Sequence, residues 1–223
     1  MTSLAKMYSD GVGVGKDCNK SIELLKKAIN NGDPNATKVL AGMYYEGFCV
    51  VKNISCSSEL YESLNRYLEE DDFYIGERSF WGIGVDIDYD KAVKIIKKNY
   101  ESSVYSAGYT LGIAYAYGYG VEKDYEKMYK YFLESAMAGN NKSQFNVGFC
   151  LYNGMGVQVD QKKAVEWVMR AANKNHVKSL AFMGDIHMTG EVVEKDIEKA
   201  KEYYQKASER GSEKAKKRLE SLQ

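Results

Sequence analysis

One sequence element recurs about every 36 residues along the whole chain. Each copy contains a glycine that opens a turn, and an aspartate or asparagine follows six positions later. The turn glycines are Gly11, Gly47, Gly82, Gly118, Gly154 and Gly190, and the second markers are Asp17, Asn53, Asp88, Asp124, Asp160 and Asp196. The register drifts by only one residue across six copies. Such a period is typical of a repeat array, in which each unit packs on its neighbours.

The fourth copy shows what a single repeat contains. Ala107, Leu111 and Tyr115 recur at i, i+4 and i+8, which is the spacing of one helix face. Gly118 then ends that helix, because glycine readily adopts the left-handed backbone that closes a helix C-terminus. Asp124 lies where a second helix needs an N-cap. The sequence therefore predicts two helices per copy, here called helix A and helix B, with a glycine-rich turn between them.

A small residue also recurs inside helix A. The positions are Ala5, Ala41, Gly76, Gly112, Gly148 and Gly184. Glycine inside a helix costs roughly 0.5–1 kcal/mol relative to alanine. Its return in four copies predicts a close approach between helices, where a side chain would clash.

The repeat resembles a known family. The motif Leu-Gly-x-x-Tyr-x-x-Gly-x-Gly-Val-x-x-Asp, with Lys-Ala and a late Ala-Ala-x-x-Gly, is similar to the Sel1-like repeat, a relative of the tetratricopeptide repeat. The resemblance covers essentially the whole chain. It implies an all-α fold, a right-handed α/α superhelical solenoid of six two-helix repeats with a C-terminal capping helix. The expected single solenoid spans 1–223, with repeats at 1–35, 36–71, 72–105, 106–142, 143–178 and 179–212 and the cap at 213–223.

Copy two departs from this pattern. Cys49 stands where the second turn glycine belongs, and the second helix, expected at 58–68, lacks the alanine pair and the closing glycine. Copy three begins with Asp71 and Asp72 where a small residue is expected. We therefore expect an altered packing angle where copies two and three meet.

Composition argues against several functional classes. The chain has 31 basic and 31 acidic residues, whereas a sequence-independent nucleic-acid binder normally carries a basic surface, so no nucleic-acid partner is expected. No apolar run reaches 18 residues, so no membrane insertion is expected. The first residues lack the basic and apolar segments of a secretory signal, which predicts a cytoplasmic location unless a preceding segment is missing.

The four cysteines are Cys18, Cys49, Cys56 and Cys150, and they form no Cys-x-x-Cys pair. Cys49 and Cys56 flank a turn and are near enough along the chain to approach each other. The expectation is nevertheless that all the thiols are free, as in a reducing compartment.

Motifs for chemistry are absent from the sequence. The segment 11–17 looks like a phosphate-binding loop, but its glycine spacing is wrong and Asp17 replaces the required Ser or Thr. His176 and His187 lie in different elements, and His187 takes a core position of helix A that holds tyrosine in other copies. We therefore predict no catalytic residue, no metal site and no cofactor.

Aromatic residues recur on the face of helix A opposite its predicted core, chiefly two and nine positions before the turn glycine. Two interpretations remain open. In a tightly curved superhelix these rings pack on each other or on the neighbouring helix A; alternatively, they line an exposed groove. The predicted groove residues are Tyr45, Phe73, Phe80, Tyr109, Phe145, Phe149 and Tyr152, with Lys38, Glu77 and Asp185 as a polar rim.

The predicted function is a non-catalytic protein–protein interaction scaffold or adaptor. It would act as a monomer and hold a protein or peptide in its concave groove, since exposed aromatic side chains carry much of the energy of interfaces. The family resemblance implies roles in signalling, host interaction or toxin neutralisation. The alternative is a carbohydrate- or cell-envelope-binding module, because aromatic strips also stack on sugars.

Overall fold

The computed structural model describes residues 1–64 and 73–222. These residues form thirteen α-helices and no strand, which confirms the all-α prediction. The helices are α1 (Thr2–Asp10), α2 (Cys18–Asn30), α3 (Pro34–Glu46), α4 (Ile54–Ser63), α5 (Phe73–Trp81), α6 (Tyr89–Lys98), α7 (Val104–Tyr117), α8 (Tyr125–Met137), α9 (Asn141–Asn153), α10 (Gln161–Asn173), α11 (Val177–Thr189), α12 (Ile197–Ser208) and α13 (Glu213–Glu220). Each copy supplies one A and one B helix, and α13 follows as the cap.

The chain divides into two compact units, Met1–Lys98 and Asn99–Gln223. Within each unit, the A and B helices of a copy pack together, and helix B packs on the next helix in the pairs α2–α3, α8–α9, α10–α11 and α12–α13. Successive A helices touch as well, α1 with α3 and α7 with α9. The single continuous solenoid and the exact repeat boundaries stay predictions, and the expected change of angle between copies two and three falls at 65–72, outside the described residues.

The repeat markers adopt the local structures that the sequence predicts. Five turn glycines end helix A in the left-handed conformation, with φ between 72° and 78°. The acidic or amide markers cap helix B: Asp124 Oδ1 accepts a hydrogen bond from the Lys127 N–H at 2.9 Å. Equivalent caps occur at Asp17, Asn53, Asp88, Asp160 and Asp196.

The small residues of helix A lie against large side chains of helix B. A Cβ added at Gly112 would lie 2.3 Å from the Phe132 ring, and one added at Gly184 would lie 2.5 Å from the Tyr204 ring. Phe132 and Tyr204 are both buried in the cores of their copies. The predicted close approach of helices is therefore confirmed.

A disulfide joins Cys18 to Cys49 in the first unit, with the two Cα atoms 5.1 Å apart. The expectation of free thiols is wrong for this pair, and Cys49 bonds to Cys18 rather than approaching Cys56. The partners are 31 residues apart, so proximity along the chain gave no signal. Cys56 and Cys150 are free, and burial raises the pKa of the Cys150 thiol to about 12, which leaves it unreactive.

The disulfide lies at a place in the repeat where the second unit has instead a close contact between a glycine and a backbone carbonyl group. Cys49 holds the second turn position of its copy, and Cys18 is the first residue of helix B in the copy before. Gly156 and Tyr125 hold the same two positions in copies five and four, and a Cβ at Gly156 would lie 1.9 Å from the Tyr125 carbonyl oxygen. Cys49 keeps the left-handed backbone of a glycine, with φ of 61°. A covalent bond thus replaces a tight backbone contact.

The substitution Gly156→Ala is expected to destabilise the protein by about 3 kcal/mol or more, because it adds a clash to the cost of a left-handed alanine. Gly211→Ala is the matched control: Gly211 has φ of 88°, but nothing lies within 4 Å of an added Cβ. In that control the free energy of unfolding should fall by only about 1 kcal/mol. Urea denaturation measures both, and equal losses would contradict the close contact.

Loss of the disulfide is expected to destabilise the first unit by about 2–4 kcal/mol, because the bond restricts the unfolded chain. Hydrogen exchange of the amides in α1 and α2 should accelerate in a Cys18→Ser/Cys49→Ser variant. A Cys18→Ser/Cys49→Gly variant should regain part of the protection, since glycine suits the backbone at that position. Cys56→Ser is the control, and identical exchange in all four proteins would refute the structural role.

Candidate functional site

Five ring-bearing side chains form a continuous cluster on α9, α11 and the residue before α11. Its members, here called the aromatic patch, are Phe145, Phe149, Tyr152, His176 and Phe182. The Phe145 ring centroid lies 6.2 Å from that of Phe149 and 6.1 Å from that of Phe182. Tyr152 meets Phe182 edge-on at 5.3 Å, and His176 lies 5.4 Å from Phe145.

Three members of the patch share one face of α9, because Phe145, Phe149 and Tyr152 follow the i, i+4, i+7 spacing of a helix. Phe149 is 40% exposed, and the other two are half-buried. Phe145 and Phe182 also pack against the core of the last copies. The rings of the patch therefore pack on one another, and Phe149 still presents apolar surface. That these residues line a binding groove stays a prediction.

The edges of the patch are polar. The Tyr152 hydroxyl donates to Glu191 Oε2 at 3.2 Å, and His176 Nδ1 lies 2.9 Å from Ser179 Oγ. Burial, helped by the positive charge of Lys178, lowers the pKa of His176 to about 4. The imidazole is therefore neutral near pH 7, and the patch itself carries no charge there.

Tyr109 lies on α7 in the same unit. Its ring is half-buried and packs on Phe132 at 6.2 Å, while the Lys142 ammonium lies 5.8 Å from its centroid. Tyr109 thus contacts the core of its own copy on one side and the N-terminal turn of α9 on the other.

Phe80, in the first unit, is the clear exception among the predicted groove residues. It is 2% exposed, and its ring meets Trp81 at 4.9 Å and Tyr89 at 5.2 Å, both edge-on. The prediction that Phe80 lines an exposed groove is wrong, because the neighbouring rings enclose it in the core.

The other residues predicted in the first unit are half-buried and engaged with neighbours. The Lys52 ammonium lies 5.4 Å from the Tyr45 ring, and Phe73 packs edge-on against Tyr74 at 5.8 Å. The polar residues behave similarly: Lys38 Nζ lies 3.9 Å from the Tyr74 ring centroid, and Glu77 Oε2 accepts from Trp81 Nε1 at 3.3 Å.

Asp185 binds the C-terminal cap. Its carboxylate accepts from the Tyr204 hydroxyl at 2.7 Å and from Lys214 Nζ at 2.8 Å, and Arg218 Nε lies 3.7 Å away. Lys214 and Arg218 are four residues apart on α13, so both reach the same carboxylate. This role in holding α13 was not foreseen, although the basic pair at helical spacing was a usable signal.

Sequence reasoning also missed Phe182 and His176. The position nine before the last turn glycine holds Ala181, which is 7% exposed, and the aromatic side chain comes one residue later at Phe182. A search restricted to the position nine before each turn glycine therefore does not find Phe182. His176 precedes α11 as its N-cap residue, outside the helix whose periodicity was being followed.

The profile of the Sel1 repeat matches residues 1–33, 73–101, 107–140, 141–176 and 177–212, well over half of the chain. The chain belongs to the Sel1 repeat family. The matched segments leave out the whole of copy two, 36–71, in agreement with its altered turn at Cys49. No curated protein matches the sequence.

Solved Sel1 repeat structures resemble this chain. One is a Sel1 repeat protein from Oxalobacter formigenes, with 25% identity, a TM-score of 0.69, and coverage of 90% of this chain and 89% of that one. Another is c5321 of uropathogenic Escherichia coli, described as a protective antigen with an SLR fold, with 26% identity and a TM-score of 0.62. The alignment covers 99% of this Sel1 repeat protein but only 48% of c5321, so the chain spans about half of that length.

A Sel1 repeat protein of Klebsiella pneumoniae, described as putative, shares only the fold. It has 14% identity and a TM-score of 0.57, with coverage of 90% of this chain and 98% of that one. Within the residues that the structure describes, no helix is long and apolar enough to cross a membrane. The same residues contain no group of three or more His, Cys, Asp or Glu side chains placed to hold a metal ion.

His176 is expected to make stability depend on pH. Its folded pKa of about 4 lies below the ordinary value of 6.5, so between these values the unfolded chain binds more protons. Stability should therefore fall as pH drops from 7 towards 4, by roughly 2–3 kcal/mol. Urea denaturation at several pH values gives the free energy of unfolding of wild type and His176→Gln. In the variant, the contribution of His176 to its pH dependence should be absent. An NMR titration with a pKa near 6.5 would contradict the burial of the ring.

Proposed function

We propose that this Sel1 repeat protein is a non-catalytic scaffold that holds a protein or peptide segment on the aromatic patch. The observation that supports this most directly is Phe149, which is 40% exposed and packs on Phe145 within a ring cluster on α9 and α11. Apolar surface of this kind, rimmed by polar groups, is typical of interaction sites. The Sel1 repeat family generally provides protein-interaction modules, which supports the same conclusion.

The patch is well suited to binding because its rings are held in place. Phe145 and Phe182 pack against the core. The position of α9 on α10 is fixed by the close approach of Gly148 to Val168, since a Cβ added at Gly148 would lie 2.5 Å from the valine side chain. Little side-chain freedom is lost when a partner docks on rings that are already ordered. Preorganisation of this kind raises affinity by lowering the entropic cost of binding.

The charges at the two ends of the patch favour a partner segment whose own charges have the opposite order. Glu191 lies at the Tyr152 end of the patch and Lys178 at the His176 end, and both are exposed. Phe145 and Tyr152 are seven residues apart, about 10 Å along the helix. A partner segment with apolar side chains, a basic group at one end and an acidic group at the other matches this arrangement.

The disulfide bears on where the protein works. Structural disulfides persist in oxidising compartments and are rare in the cytosol. The Cys18–Cys49 bond therefore favours an extracytoplasmic location over the cytoplasmic one predicted from the sequence. Among the roles implied by the family, host interaction fits that location better than intracellular signalling, and toxin neutralisation is compatible with it.

A carbohydrate- or cell-envelope-binding role is the second candidate, and one observation favours it. Tyr117 and Tyr119, in the turn of copy four, stack at 5.5 Å with an interplanar angle of 17° and are 64% and 36% exposed. Stacking holds the two rings in place, and the outward face of an exposed tyrosine ring is suited to packing on a sugar face. An oxidising compartment would suit this role as well.

A photo-crosslinking amino acid at position 149 tests the proposed function. We expect it to capture one protein partner, and that partner, once purified, should bind the Phe149→Ala variant at least tenfold more weakly than wild type. Truncating an aromatic anchor typically removes 1 kcal/mol or more of binding free energy, and tenfold corresponds to about 1.4 kcal/mol. Isothermal titration calorimetry provides the affinities.

Met137→Ala is the matched control, because Met137 is 74% exposed and apolar but lies at the end of α8. It should change the affinity less than twofold. Equal affinities for wild type and Phe149→Ala, with both proteins folded, would refute binding on the patch. Glycan-array binding that is lost in a Tyr117→Ala/Tyr119→Ala variant would instead favour the second candidate.

A further inference from the structure

Helix α1 carries exposed apolar side chains at positions that are buried in other copies. Leu4 and Met7, seven and four residues before the turn glycine, are 41% and 38% exposed. Met1 precedes Leu4 by three residues and is 59% exposed on the same side of the helix. These three side chains are here called the α1 stripe. In copies two, five and six, the residues seven and four before the turn glycine are at most 5% exposed: Leu40 and Met43, Val147 and Cys150, and Met183 and Ile186.

In those copies the two positions are covered by the preceding helix B. Leu40 and Met43 of α3 share a buried cluster with Leu25 and Ala28 of α2. The corresponding pairs of α9 and α11 share buried clusters with residues of α8 and α10. Helix A thus receives the helix B before it at the positions that are exposed in α1.

Helix α1 is closely similar in sequence to α3, which α2 covers. Residues 4–8 read Leu-Ala-Lys-Met-Tyr, and residues 40–44 read Leu-Ala-Gly-Met-Tyr. The alanines of the two segments, Ala5 and Ala41, are both 0% exposed, so the two helices also present their remaining sides alike. A helix with the apolar face of α2 therefore fits α1 as it fits α3.

Contacts on its other sides hold α1 in place. Ala5 belongs to the same buried cluster as Leu25 of α2. Thr2 Oγ1 donates a hydrogen bond to Asp33 Oδ2 at 2.6 Å, which ties the start of α1 to the N-cap of α3. The α1 stripe is therefore ordered before a partner binds, which lowers the entropic cost of docking.

Several helices of a second copy that could cover the stripe are already engaged. Each of α2, α8, α10 and α12 packs on the helix that follows it. For α12 that helix is α13, which Asp185 holds through Lys214 at 2.8 Å. These contacts favour a helix of a different polypeptide as the occupant.

We propose that the α1 stripe is a docking site for an amphipathic helix of a partner protein. The partner helix lies on α1 as α2 lies on α3, with aliphatic residues at the spacing of Ile22, Leu25 and Ile29. A small residue takes the place of Ala28. Anchors at i, i+3 and i+7 are a common way to recognise such a helix. The stripe belongs to the first unit and the aromatic patch to the second, so the two proposals depend on different residues.

A peptide with the sequence of residues 17–33 serves as the probe, because it contains α2 and its N-cap. Cys18→Ser removes the thiol of the peptide. Isolated helices of this length are marginal in water. A lactam between Glu23 and Lys27, whose exposed side chains pair at 2.6 Å in α2, keeps the peptide helical without altering its apolar face.

NMR titration of the full chain with this peptide tests the proposal. The amide resonances of Leu4 and Met7 should shift and saturate. The same peptide with Leu25→Gln and Ala28→Gln should bind at least tenfold more weakly, because its apolar face is interrupted. Absence of saturation, or equal binding of the two peptides, overturns the proposal.

Variants of the protein locate the binding. Leu4→Gln/Met7→Gln should weaken peptide binding at least tenfold with an unchanged circular dichroism spectrum, because both side chains are exposed. Val51→Gln is the matched control: Val51 is apolar, 89% exposed and in the same unit, so its loss should change the affinity less than twofold. Wild-type affinity in the double variant would refute the site. Phe149→Ala should bind the peptide normally, so this proposal and that of the aromatic patch fail separately.

Sedimentation velocity of the protein alone tests a second copy as the occupant. Wild type and Leu4→Gln/Met7→Gln should sediment alike over a range of concentrations. A wild-type dimer that the double variant does not form would assign the α1 stripe to a second copy of this chain and overturn the proposal of a partner helix.

Discussion

The contact between a small residue of helix A and a large side chain of helix B is the constraint on which the remaining structure depends. At Gly112 and Gly184 there is no room even for a methyl group against the facing ring. An A–B pair packed this tightly has little freedom to rotate about its helix axes. The face of helix A that is turned away from helix B is fixed by the same contact, and in α9 that face carries Phe149.

The parts of the fold that could be predicted from sequence depend on local chemistry. A turn glycine and a capping aspartate act through their own backbone neighbourhood, so residues such as Gly118 and Asp124 identify their structures without knowledge of distant contacts. The disulfide depends on how consecutive copies stack. Cys18 and Cys49 meet because the start of one helix B faces the turn of the next copy, and no spacing within a single copy reveals that.

The candidate site was predicted less well, and for a related reason. Helical periodicity gives the direction of a side chain but does not reveal which neighbours cover it. Phe80 and Tyr152 hold the same position in their copies, yet Trp81 and Tyr89 enclose Phe80 while Tyr152 stays half-exposed beside Phe182. Asp185 was predicted at a polar rim, but Tyr204 of α12 and Lys214 of α13 bind its carboxylate.

The cysteine pair also restricts how the chain can evolve. Cys49 holds a backbone conformation that suits glycine, with φ of 61°, and the bond to Cys18 offsets that disadvantage. A substitution of Cys18 alone would leave Cys49 with an unfavourable conformation and an unpaired thiol. A change of Cys49 to glycine, which needs a single base, restores the backbone in one step. The two positions are therefore expected to be lost in a preferred order among descendants of this sequence, position 49 before position 18.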